Sequence, residues 1–332
     1  MSENQDRREP FGKRSTIQPN QPKIDLGPNQ QPPVIDVHTH IVPPEVRAKR
    51  EHFRQADLWF RRLYTNRAYA LADADDLLTS MTQCGLDASV AFGFAWRDPG
   101  LCRTNNDYVL ERAAGSGGRI IPFCVVPPEN LDFAAGEIAR CRKMGAVGVG
   151  EIFPEGQAWN LIDGEKTRAF VDIAREFGMA ITLHTSEPIG HTYAGKDRTA
   201  LRELWSVVEA SQGDIPIILA HWGGGLAFYE LMPEIHEYAQ NVFYDSSASH
   251  LLYDQRVYEL MTSLAPGRVL FGSDYPLIRQ KHALRLIREA TLSNDALAAL
   301  LGGNAIGLGL KCPIQSGIPA KPRALSHDQS QP

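Results

Sequence analysis

Cysteine is scarce and unpatterned in this sequence. There are five, Cys84, Cys102, Cys124, Cys141 and Cys312, an odd number with no Cys-x-x-Cys pair. Such spacing argues against a disulfide framework and against a thiolate zinc cluster, and it reads the five as reduced packing residues. A positive excess is lacking too. Lys and Arg total 34 against 39 Asp and Glu, a formal net charge of −5, which argues against a nucleic-acid partner. Nothing approaches the ~20 consecutive apolar residues that would span a bilayer, and the polar N-terminus holds no signal-peptide core. The expectation is a cytoplasmic protein with no membrane partner.

Aromatic residues are nearly absent from residues 1–33 and from residues 312–332, where Gln, Pro and other polar residues dominate, so neither stretch buries enough apolar surface to offset chain entropy. Both are expected to be disordered tails. Residues 34–311 remain, the size of one α/β barrel, in a chain whose 43% hydrophobic content suffices for a large core. Eight short apolar runs can be counted there: VIDVH from Val34, ASVAFGF from Ala88, IIPFCVV from Ile120, AVGVGEIF from Ala146, AITLHT from Ala180, PIILAH from Pro216, NVFYDSS from Asn241 and RVLFGSD from Arg268. Segments of helical period separate them, two ending on glycine stops at Gly145 and Gly178. The alternation predicts a (β/α)8 TIM barrel. The connection 41–86 is unusually long, and its aromatic, arginine-rich portion predicts an extra helix or flap near the barrel mouth.

Several predicted strands finish on a residue able to bind a metal. His38 and His40 end the first, Glu151 lies in the fourth, His184 and His221 end the fifth and sixth, and Asp274 ends the eighth. In a parallel barrel the C-terminal strand ends converge on one face. Side chains two apart on a strand point the same way, so His38 and His40 can share one cation while Thr39 faces outward. Each histidine alone reads as a hydrogen-bonded core residue; together with two carboxylates they read as a metal site. Neutral imidazoles and carboxylates leave a divalent cation with net positive charge, which lowers the pKa of bound water from 15.7 toward ~7.

The order His-x-His, Glu, His, His, Asp, set in IDVHTHIVP, GVGEIFP, ITLHTSEP, ILAHWGGG and FGSDYPL, resembles the amidohydrolase superfamily, and within it the amidohydrolase-related branch. The resemblance covers nearly all of 34–310. It implies a metal-bearing barrel in which His38, His40, His184, His221 and Asp274 are metal-site residues. Asp274 would move the proton between water and leaving group, and His221 would bind a second metal or polarise the substrate oxygen. Glu151 resembles the bridging ligand of binuclear members, so two ions are expected, zinc first and manganese second; its other reading is a carboxylate behind the ligands.

Substrate contacts are sought in the loops. His191, Tyr193 and Lys196 lie after the fifth strand in a segment able to form a lid, and Arg97, after the second, could clamp a carboxylate. A solvated loop and a helix-start salt bridge are the plainer readings. The leading expectation is a hydrolase acting on an amide, ester or lactone carbonyl of a small molecule. The alternative is a metal-dependent non-oxidative decarboxylase of an aromatic or unsaturated acid, since the branch includes enzymes similar to aminocarboxymuconate semialdehyde decarboxylase. A non-catalytic metal-binding barrel is the third reading, and a homo-oligomer is left open.

Overall fold

The computed structural model describes residues 32–66 and 68–312. The two predicted tails lie outside these residues, apart from Pro32, Pro33 and Cys312. Eight strands form one parallel sheet in sequence order: β1 (Ile35–His40), β2 (Ala88–Phe92), β3 (Ile120–Cys124), β4 (Gly148–Ile152), β5 (Ala180–Leu183), β6 (Ile217–Leu219), β7 (Val242–Asp245) and β8 (Val269–Leu270). Backbone bonds from Val37 N to the Phe271 carbonyl (2.8 Å) and from His40 N to the Tyr275 carbonyl (2.7 Å) close the sheet into the expected barrel. Ile181, Ile217 and Val242 stand in register across β5, β6 and β7. The strands read as nearly unbroken apolar runs because side chains fill one face and helices cover the other.

The helices Leu131–Lys143 and Gly164–Glu176 stop as predicted, with Gly145 at φ +108° and Gly178 at φ +59°. A left-handed residue there reverses the chain into the next strand, and glycine adopts it without a Cβ clash. After β6 the glycines continue the same logic. Trp222, Gly223, Gly224 and Gly225 all have positive φ, and a Cβ at Gly224 would lie 2.5 Å from the Ser186 carbonyl oxygen. The triple glycine lets this backbone pass against the β5 loop.

The long connection after β1 contains the helices Arg50–Ala56 and Leu58–Leu63. Asp57 caps the second by accepting from Trp59 N and Phe60 N, both at 2.8 Å. Phe60 is buried and stacks on Trp96 at 4.7 Å between ring centroids, which fixes the flap against the loop that leaves β2. No helix among the described residues is long and apolar enough to cross a membrane.

Buried charge within the barrel wall is self-contained. Arg268, just before β8, donates through Nη1 to Glu230 Oε1 (2.8 Å) and to the carbonyls of Ala239 (2.9 Å) and Val242 (2.8 Å), and through Nη2 to Glu230 Oε2. Tyr244 donates to the same carboxylate at 2.7 Å. On the other side, Glu137 accepts from Arg103, Arg140 and Asn106.

Candidate metal centre

The pleat of β1 aims His38 and His40 at one point, with their Nε2 atoms 3.2 Å apart. Glu151, near the end of β4, brings Oε2 to 3.7 Å from His38 Nε2 and 3.5 Å from His40 Nε2. Asp274 follows β8 and brings Oδ1 to 3.8 and 3.6 Å from the same two nitrogens. Donors held about 2.1 Å from a shared cation lie roughly 3.0 to 3.5 Å from one another, so these four atoms need only a small contraction to hold a divalent ion. The other Glu151 oxygen faces the opposite way: Oε1 is 3.1 Å from His184 Nδ1 and 3.7 Å from His221 Nε2, and those two nitrogens are 3.2 Å apart. The six residues expected at a metal site on sequence grounds thus meet around one carboxylate.

Why the imidazoles point lone pairs inward is visible from their other nitrogens. His38 Nδ1 faces Asp245 Oδ2 at 2.9 Å, His40 Nδ1 the Gly93 carbonyl at 3.3 Å, His184 Nε2 the Gly195 carbonyl at 3.0 Å, and His221 Nδ1 the Ser247 hydroxyl at 2.9 Å. Acceptors on the outer side hold the N–H there and leave the inner nitrogen unprotonated, the arrangement that surrounds metal-binding histidines. Four inward lone pairs repel one another unless a cation or protons intervene. The donor chemistry therefore fits a divalent metal.

In the metal-free protein protons take that part. Burial alone would depress the His38 imidazole, but the Asp245, Glu151 and Asp274 carboxylates outweigh it and push its pKa up to about 10. His184, likewise against burial, is raised to about 9 by Glu151. Burial wins at His40, whose pKa falls. Burial would raise Glu151, yet His38, His184 and the hydrogen bond from His184 hold its carboxyl well below the usual range.

Asp245 was not among the residues singled out from the sequence. It ends β7, is wholly buried, and accepts from His38 Nδ1, from the backbone of His221 (3.2 Å) and Ser247 (2.9 Å), and from the Ser247 hydroxyl. One carboxylate thus orients His38 directly and His221 through Ser247. The available signal was its place at a strand end, the same that marked Asp274.

Above the donors lies a cavity of about 280 Å3. Its floor is His40, Glu151, His184, His221 and Asp274, and its walls include Leu63, Tyr64, Phe94, Phe153 and Leu251. Of the four residues expected at substrate, His191 and Tyr193 line it. Lys196 does not, because its ammonium donates to the carbonyls of Ile189 (2.6 Å) and His191 (3.1 Å) and so ties the loop to itself. Arg97 does not either: its side chain is exposed, and its backbone N–H donates to Asp57 in the flap. The clamp expected of Arg97 is corrected accordingly.

The comparisons with known proteins agree with the barrel fold. A family model described as Amidohydrolase matches residues 35–308. The gamma-resorcylate decarboxylase of Rhodococcus jostii is 23% identical over 269 residues, covering 67% of this chain and 80% of its own. That of Rhizobium radiobacter is 22% identical over 302 residues, covering 78% and 92%. Among solved structures, 5-carboxyvanillate decarboxylase from Sphingomonas paucimobilis superposes with a TM-score of 0.67 at 20% identity, covering 83% of this chain and 98% of that one. The same-named enzyme from Novosphingobium aromaticivorans, solved with manganese, gives 0.66 at 15% identity, covering 86% and 98%. The expectation of a hydrolase is overturned by these relatives, which are decarboxylases along most of this chain's length. The Glu151 argument that favoured hydrolysis weighed a carboxylate's bridging capacity, and that capacity does not specify which bond is broken.

Proposed function

The chain belongs to the amidohydrolase family, and from that premise we propose that it catalyses metal-dependent, non-oxidative decarboxylation of an aromatic carboxylic acid, a small molecule held in the cavity above the metal centre. The observation that carries the reading is the placement of three of that centre's donors, His40, Glu151 and Asp274, on the floor of a cavity walled by Phe94, Phe153, Leu63 and Leu251. An apolar cavity of roughly 150 Å3 already holds benzene, so the space suits a substituted ring. The named chemistry of the relatives supports the reading independently.

His38, His40, Glu151 and Asp274 would hold the ion, with His184 and His221 beside it. When bound, the divalent cation would supply positive charge that fixes the substrate's carboxylate over the cavity floor. Asp274 carries the proton. Its carboxyl delivers H+ to the ring carbon that bears the carboxylate, that carbon's bond to the carboxylate breaks, the electron pair stays with the ring, and CO2 leaves. One proton is consumed per turnover and nothing is oxidised or reduced. Phe94 and Phe153 flank the ring's path and keep water from the carbon being protonated.

One ion per chain is proposed in place of two. While Asp274 holds the proton, Glu151 and the substrate carboxylate contribute two negative charges, which balance one divalent cation, whereas a second would leave net positive charge in a largely apolar cavity. Decarboxylation also needs no bridging hydroxide. Manganese is the proposed metal, on the chemistry of mixed imidazole and carboxylate donors and on its presence in a structural neighbour. The test is an assay of metal-free and manganese-reconstituted protein with hydroxylated benzoates. Equal yields of CO2 and decarboxylated arene, only with metal and at one ion per chain, are expected. Release of CO2 from none of these acids, or release undiminished by a chelator, would overturn the proposal.

A further inference from the structure

We infer that the cavity selects an arene carrying a single carboxylate and a ring hydroxyl, with Tyr64 as the residue that reads the hydroxyl; this rests on the decarboxylase reading and names its substrate class. The first observation is a charge pattern. No Lys or Arg is among the described residues that line the cavity, and the fixed charges on its floor, Glu151 and Asp274, are negative. Among the described residues, the cations that approach are already engaged. Lys196 is bound to the Ile189 and His191 carbonyls, and Arg50, whose guanidinium carbon lies 5.5 Å from the Tyr64 ring centroid, donates to the carbonyls of Asn66 and Tyr69. The substrate's reacting carboxylate meets the metal. A second one would be taken out of water against Phe94 and Phe153 with no counter-charge among the described residues, and an unpaired buried charge is strongly disfavoured.

The second observation concerns hydroxyls. Tyr193 reaches the cavity, but its hydroxyl already donates to Glu187 Oε2 at 2.9 Å. Tyr64 also lines the cavity, yet its hydroxyl has no hydrogen-bond partner among the described residues. Its ring is fixed by Phe60 and Phe94, with centroids 4.5 and 6.2 Å away, so the phenol is a pre-positioned group. Burial, reinforced by the Asp274 and Glu151 charges, raises its pKa and keeps the proton on, which makes it a donor at neutral pH. A donor on the wall above a metal-bound carboxylate suits an oxygen on the ring. Tyr64 belongs to the long connection after β1, so the flap becomes the segment that sets specificity.

The experiment is calorimetric binding to the manganese-loaded protein, using benzoate, the 2-, 3- and 4-hydroxybenzoates and 5-hydroxyisophthalate. At least one hydroxybenzoate is expected to bind about tenfold more tightly than benzoate, the worth of one hydrogen bond. Tyr64→Phe should erase that advantage while leaving benzoate affinity and manganese content unchanged. The dicarboxylate should bind at least ~100-fold more weakly than the best monocarboxylate. A dicarboxylate that binds as tightly, a Tyr64→Phe protein that loses affinity for benzoate and hydroxybenzoate alike, or no saturable binding by any probe would overturn the inference. Selective, Tyr64-dependent binding without CO2 release would uphold the selectivity and sink the decarboxylase reading.

Discussion

Two groups of buried ionisable side chains occupy opposite situations in this barrel. Beside β7 and β8, Glu230 and Arg268 neutralise each other, and the remaining polar atoms are taken up by Tyr244 and by the Ala239 and Val242 carbonyls. At the mouth, four imidazoles and two carboxylates turn donor atoms toward one another at 3.1 to 3.8 Å, with no arginine or lysine among them. The first group is complete and serves the fold. The second is complete only with added positive charge, which is the mark of a binding site rather than a structural pair. Burial is common to both, so burial alone does not separate function from structure; the direction of the lone pairs does.

The comparison predicts that substitutions in the two groups have opposite consequences. Asp274→Asn should lower turnover by a factor on the order of 10^3 or more, about 4 kcal/mol in the barrier, with the thermal midpoint nearly unchanged. Wild-type turnover in that variant would remove Asp274 from the reaction. Glu230→Gln should do the reverse. Leaving the Arg268 charge buried without its partner costs about 3 to 5 kcal/mol of stability, read by denaturant unfolding, while the folded fraction keeps its metal. An unchanged midpoint would show that water reaches Arg268.

Asp245 tests where the boundary between the groups runs, because it touches ligands without facing the centre. Asp245→Asn keeps the shape but weakens the hold on the His38 proton, so manganese affinity should fall roughly 10- to 100-fold while the structure survives. The smallest effect is expected at Glu137, part of the barrel wall. Burial would raise its carboxyl, but Arg140, Asn106 and Arg103 lower its pKa from 4.5 to about 2. A carboxyl lowered on folding stabilises above its unfolded value and loses that contribution as pH falls through the folded one. Stability should therefore decline between about pH 4.5 and 2, and the decline should be shallower in Glu137→Gln. Equal slopes in both proteins would contradict the assignment.

How much of this was legible before the structure depended on periodicity. Strand runs such as AITLHT and PIILAH are apolar because both faces are covered, and their ends fall where the barrel opens, so His184 and His221 could be placed from sequence alone. Asp245 sits in the same kind of position, but a strand-end carboxylate that backs a ligand and one that binds the metal look identical until the third dimension shows which way each faces. The flap carried no usable period. Helices as short as Leu58–Leu63 have too few turns to declare a face, so Leu63 and Tyr64 were not expected in the cavity. Arg97 failed for a related reason: in AWRDPG the chain turns sharply into the next helix, and Trp96 takes the inward place while Arg97 takes the outward one.

The central claim, that the mouth cluster is built to be completed by one divalent ion, is tested most directly by calorimetric titration of manganese into metal-free protein near pH 7.5, repeated in buffers of different ionisation enthalpy. With its pKa raised to about 10, His38 holds a proton at that pH, and an ion that takes its inner lone pair must displace that proton. The account predicts saturation at one ion per chain with at least one proton released, and affinity that rises with pH up to about 10. Binding without proton release, or no saturable binding at all, would contradict it.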